Sequence, residues 1–112
     1  MHTQTVSFDF DNCLQLGYVQ LMADRHYKWE DDVHVVTTRN GDFDNLDLFE
    51  VTDEIGIPRE NVHFTNQQLK LDTLLRIGVN LHYDDDTVEV DDINRNGGDT
   101  IRGILVEYRR YN

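Results

Sequence analysis

The chain has 112 residues, 38% hydrophobic and 10% aromatic, which suits one packed domain over residues 1–112 and argues against general disorder. A single cysteine, Cys13, excludes an intrachain disulfide scaffold; no apolar run nears the ~20 residues of a membrane helix, and Met1–Gln4 lacks a signal-peptide pattern, so a cytoplasmic chain without membrane association is expected. Its 22 acidic residues against 10 basic ones give a net charge of −12, which disfavours a nucleic-acid partner but leaves acid clusters able to hold divalent cations.

Thr5-Val6-Ser7-Phe8 is a β-branched and aromatic run that predicts a buried strand ending at Asp9. From about Gly17 to Glu30, Tyr18, Leu21, Met22 and Trp29 recur at helical spacing and predict one apolar face. Val33-His34-Val35-Val36 predicts a second strand, stopping at Thr37. Asp31-Asp32 and Asp42-Phe43-Asp44 read as solvated acids that serve solubility. Leu46 to Ile55 carries Leu48, Val51 and Ile55 in a helical pattern closed by Gly56 and Pro58. Val62-His63-Phe64 predicts a short third strand. Leu69 to Ile77 repeats the helical period through Leu71, Leu74 and Leu75, with Gly78 as its C-terminal cap. Val79 to Tyr83 predicts a fourth strand, running into Asp84-Asp85-Asp86, and Ile101 to Tyr108 a fifth.

Strands alternating with helices predict an α/β fold: a three-layer, Rossmann-like parallel sheet of about five strands with helices on both faces. Ligands in such sheets bind beyond the carboxyl ends of the strands. The sharpest polar residues of this chain fall there: Asp9 and Asp11, Thr37, and Asp84 and Asp85.

Phosphoryl transfer needs such a set. A carboxylate can attack phosphorus and divide one hard displacement into two easier ones through an acyl phosphate. Nucleophile and phosphate are both anionic, so a divalent cation must offset their repulsion, and hard oxygen ligands suit Mg²⁺. A second acid must protonate the leaving oxygen and then deprotonate water. A hydroxyl and a lysine can hold the remaining phosphoryl oxygens.

Phe8-Asp9-Phe10-Asp11-Asn12-Cys13-Leu14 resembles the first motif of the haloacid dehalogenase superfamily, a hydrophobic strand followed by D-x-D. Val33-His34-Val35-Val36-Thr37-Thr38-Arg39 is similar to its second motif, a strand ending in Thr or Ser. Lys70 stands where the third motif places its lysine, and Leu81-His82-Tyr83-Asp84-Asp85 resembles the acidic fourth motif. The four follow the family's order over residues 5–86. The resemblance implies a single capless domain of a Mg²⁺-dependent phosphatase acting on phosphomonoesters. It implies Asp9 as nucleophile and metal ligand, and Asp11 as general acid/base lending its backbone carbonyl to the metal. It further implies Thr37 and Lys70 as holders of the phosphoryl group, with Asp84 and Asp85 completing the metal site. Two departures stand out. Asn12 and Cys13 replace the Gly and Thr or Val that usually follow D-x-D, although Asn tolerates the left-handed backbone that Gly provides. Little chain remains between Asp11 and Val33 for a flap or cap, so an open site is expected.

Other signals carry less. Asp92-Ile93-Asn94-Arg95-Asn96-Gly97 imitates half an EF-hand loop, but Gly103 stands where the bidentate acid belongs, so a Gly-rich turn is expected. His34, His63 and His82 precede the strand ends and read as packed or hydrogen-bonded sheet histidines. Cys13 has no identifiable activating base and reads as a small core residue. A receiver domain would place its phosphoacceptor after the third strand, where this chain has Thr65. A regulatory metal-binding domain without turnover is the main alternative. The expected partner is a phosphorylated small molecule, nucleotide or protein.

Overall fold

The computed structural model describes residues 4–107. Five strands and four helices alternate: β1 (Thr5–Phe8), α1 (Gly17–Lys28), β2 (Asp32–Thr37), α2 (Leu46–Ile55), β3 (Val62–Phe64), α3 (Leu71–Ile77), β4 (Leu81–Asp84), α4 (Thr87–Asn96) and β5 (Arg102–Leu105). The strands form one parallel sheet in the order β3-β2-β1-β4-β5. This is the expected Rossmann-like α/β architecture. Tyr108, expected at the end of the fifth strand, and Met1–Thr3 lie outside the described residues.

Alternation along the central strands sorts side chains to two faces. On one face Val6, Phe8, Val33, Val35 and Tyr83 pack with Val19 and Ala23 of α1 and Leu48 of α2. On the other, Val36 packs with Leu71 and Leu74 of α3 and Ile93 of α4. Phe8 and Tyr83, level in the β1–β4 register, stack with ring centroids 4.7 Å apart. The opposite pair on the second face is polar: Ser7 Oγ lies 2.6 Å from His82 Nδ1.

Three expectations need correction. Helix α1 does not bury Tyr18, Leu21 and Trp29, which are 51%, 68% and 58% exposed; it buries Val19, Ala23 and His26, with Met22 partly covered. Small side chains let the helix approach the sheet closely, and a bonded histidine replaces an apolar one on the inner face. His26 lies 2.8 Å from Asp31 and 3.1 Å from the Tyr83 hydroxyl, so Asp31 is a buried partner and not a solvated acid. The stretch Asp92–Gly97 is no turn: it is the last part of α4 and its C-terminal cap. The inner face of α4 is Glu89, Ile93 and Gly97, which offers too little apolar periodicity to be read from sequence. Asn94 then ties the helix to β5, accepting from Gly103 N at 2.8 Å and donating to Gly103 O at 3.0 Å.

No helix among the described residues is long and apolar enough to cross a membrane.

Candidate functional site

The turn after β1 sets the site. Asp9 remains extended and its N–H donates to Tyr83 O at 2.8 Å, so Asp9 stays level with the end of β4. The chain then reverses through an irregular helical turn, Phe10–Leu14, in which Asn12 takes a left-handed conformation at φ 57°. This is the backbone that a Gly would have supplied, and Asn reaches it at low cost. Leu14 N closes the turn on Asp9 O at 3.0 Å, and Cys13 fills the core beneath it. Burial and the surrounding carboxylates push the Cys13 thiol up, which keeps it protonated and inert.

Asp9, Asp84 and Asp85 converge. One carboxylate oxygen from each lies within 4.8 Å of the others, and Asp9 and Asp84 are buried. Between Asp9 and Asp84 sits Lys70, only 2% exposed, with Nζ 2.8 Å from Asp9 Oδ1 and 2.7 Å from Asp84 Oδ2. Lys70 is fixed just before α3, where its N–H donates to Glu89 Oε2 of α4 at 3.1 Å. His82 Nε2 donates to Asp84 Oδ2 at 2.7 Å, which leaves Nδ1 to accept from the Ser7 hydroxyl. Asp84 Oδ1 accepts from Asp86 N at 3.0 Å.

The environments of these acids differ. Burial pushes the Asp9 carboxyl up to about 8; Lys70 opposes this, and Asp84 and Asp85 add to it. Burial would also raise Asp84, but hydrogen bonds and charge from His82 and Lys70 outweigh it and hold Asp84 down at about 2. Burial lifts Asp85 above the usual carboxylate range. Burial would lower Lys70, yet the charges of Asp9 and Asp84 hold it above the ordinary lysine value. The cluster thus sets Asp84, whose ionised form is favoured, and the Lys70 cation beside Asp9 and Asp85, whose ionised forms burial disfavours. Carboxylate oxygens gathered in this way could hold a metal ion.

Thr37 is fully buried at the end of β2, one residue beyond the level of Asp9 by register. Its Oγ1 accepts from Arg39 N at 3.2 Å, which leaves its own proton to donate. Asp11 stands apart. Its carboxylate is outside the cluster and is gripped at both oxygens by Arg39, Nε to Oδ2 at 3.0 Å and Nη2 to Oδ1 at 2.7 Å. The same guanidinium pairs with both oxygens of Asp47, each at 2.8 Å, and lies 4.9 Å over the Phe10 ring. Ser7, Arg39, Asp47 and Glu89 join this network although no role was expected for them. Arg39 belongs to the strand-end run Thr37-Thr38-Arg39, so its position was the available signal; nothing in the sequence near Glu89 points to Lys70.

Comparison with models of known protein families and with curated proteins gives no match. The fold and the cluster define a parallel α/β protein with a buried acidic centre that could bind a metal ion.

Proposed function

We propose that the chain is a Mg²⁺-dependent phosphohydrolase of the haloacid dehalogenase type, cleaving a phosphomonoester through an aspartyl phosphate on Asp9. The observation that supports this most is the convergence of Asp9, Asp84 and Asp85 around a lysine already bonded to Asp9. Asp9, Asp84 and Asp85 would hold the ion with the Asp11 carbonyl, and its charge would offset the repulsion between a carboxylate and an incoming phosphate. In the first step an Asp9 oxygen attacks phosphorus, the phosphorus–oxygen ester bond breaks, and the leaving oxygen takes a proton from Asp11. In the second, Asp11 takes a proton from water, which attacks the acyl phosphate, releases phosphate and restores Asp9. Lys70 and the Thr37 hydroxyl hold phosphoryl oxygens through both steps.

One observation favours a second reading, a regulatory metal-binding domain without turnover. Arg39 grips both oxygens of Asp11, and a carboxylate held so does not give up a proton until the arginine lets go. Hydrolysis of an aryl phosphate with and without Mg²⁺ separates the two. Turnover should require the ion and fall at least ~10³-fold in Asp9→Asn, the scale of losing a covalent nucleophile. Metal binding without any phosphate release would leave the regulatory reading.

A further inference from the structure

Beyond the carboxyl ends of β2 and β3 lies a cleft of about 440 Å³. Arg39, Phe43, Asp44, Asp47, Asn66 and Gln67 contribute to its lining. Arg39 joins it to the turn after β1, because the guanidinium that borders the cleft also holds Asp11, two residues beyond Asp9. In the sheet, β3 is two strands from β1, roughly 10 Å across.

The free groups of this cleft define a chemistry. Asn66 and Gln67 are the two central residues of a tight turn, at φ 53° and 68°, closed by Gln68 N donating to Thr65 O at 3.1 Å. Their backbone N–H groups are used, donating to Arg39 O and Thr38 O. Their exposed side-chain amides bond to no other described residue, so each offers a donor and an acceptor to the cleft. Phe43 presents a ring that is 74% exposed and packs on no other aromatic among the described residues. Two amides beside a free aromatic face are what recognise a planar heterocycle, by hydrogen bonds to its edge and stacking on its plane.

Charge narrows the ligand further. The charged residues lining the cleft are Arg39, Asp44 and Asp47, so two acids outnumber one cation even when Arg39 releases Asp11. That surrounding repels a second phosphate, so a bisphosphate or nucleoside polyphosphate does not suit it. A plain sugar phosphate would leave the Phe43 ring uncovered and the amides facing water. Resting on the hydrolase reading above, we propose that the cleft receives the base of a nucleoside monophosphate whose phosphoryl group lies at Asp9.

The test is binding, read separately from turnover. Asp9→Asn with Mg²⁺ is titrated with adenosine monophosphate, ribose 5-phosphate and a short oligonucleotide bearing a terminal phosphate, while the side-chain amide signals of Asn66 and Gln67 are followed by NMR. The nucleotide should bind roughly 10-fold or more tightly than ribose 5-phosphate, the scale of one base stacked on an aromatic ring, and should move both amide signals. Phe43→Ala should erase that preference. An oligonucleotide that binds as tightly as the mononucleotide assigns the cleft to a strand's terminal nucleotide, and one that binds more weakly assigns it to the free nucleotide. Adenosine, tested on the unaltered chain, probes the cleft without the phosphate site. If adenosine moves the two amides while no phosphate is ever released from the nucleotide, the cleft stands and the hydrolase reading fails. Equal affinity for nucleotide and ribose 5-phosphate, with both amide signals unmoved, overturns the proposal.

Discussion

Lys70 is a cation enclosed between two buried carboxylates, Asp9 at 2.8 Å and Asp84 at 2.7 Å. Removing one member of a buried ion network leaves the others uncompensated, which typically costs 3–5 kcal/mol. Lys70→Met should therefore lose about 3 kcal/mol in denaturant melts at neutral pH without metal, the low end because Asp9 already carries a proton there and Asp84 is the charge left uncompensated. Titration of Asp9 supplies a second prediction. Burial raises its carboxyl from 3.8 to about 8, so between those values the folded chain binds a proton that the unfolded chain does not. The stability gained from that proton is complete below 3.8 and is lost as pH rises through about 8. Melts from pH 5 to 8 without metal should show a falling contribution that Asp9→Asn abolishes, and Mg²⁺ affinity should rise over the same range. Asp9, Asp84 and Asp85 were legible as acids at strand ends, whereas Lys70, which precedes α3, was legible only through the motif order of the family the chain resembles. The double grip of Arg39 was not, because it depends on three segments meeting: the turn after β1, the loop after β2 and the first turn of α2.

Elements divide the acidic run Asp84-Asp85-Asp86 into three tasks. Asp84 closes β4 and anchors the buried network, Asp85 turns into the cluster, and Asp86 caps α4 by accepting from Val88 N at 2.9 Å. Asp86→Ala should cost about 1 kcal/mol, the usual loss of a helix N-cap, with Mg²⁺ affinity unchanged. Asp85→Asn should do the reverse, weakening Mg²⁺ binding with little loss of apo stability; paired melts and metal titrations of the two variants check both. At the far end of α4, a Cβ added at Gly97 would come within 2.5 Å of Ile101 Cγ2 and of Ile93 O. Gly97→Ala should thus cost roughly 1–3 kcal/mol through overpacking, measured by denaturant melts. The five strands were legible from short β-branched runs between turn residues. Helix α4 was not, since its buried face carries Glu89 and a glycine, and the inner face of α1 was mistaken because the largest apolar residues are not the ones that pack.

For the whole molecule, a net charge of −12 means any cation stabilises it somewhat by screening, so a specific site must be told from a general one. An ion that binds only the folded chain adds roughly 2.7 kcal/mol at a hundredfold excess over Kd, or about 8–20 °C in a domain of this size when saturation is partial. Melting temperatures in Mg²⁺ and Na⁺ at matched ionic strength should differ by that amount, and the difference should vanish in Asp85→Asn. The covalent role of Asp9 is tested most directly by rapid acid quench during turnover of a phosphomonoester with Mg²⁺, followed by mass mapping of the peptides. One added phosphoryl group should appear on the peptide carrying Asp9, absent without Mg²⁺ and absent in Asp9→Asn. Steady phosphate release with no phosphorylated peptide, undiminished in Asp9→Asn, would contradict it.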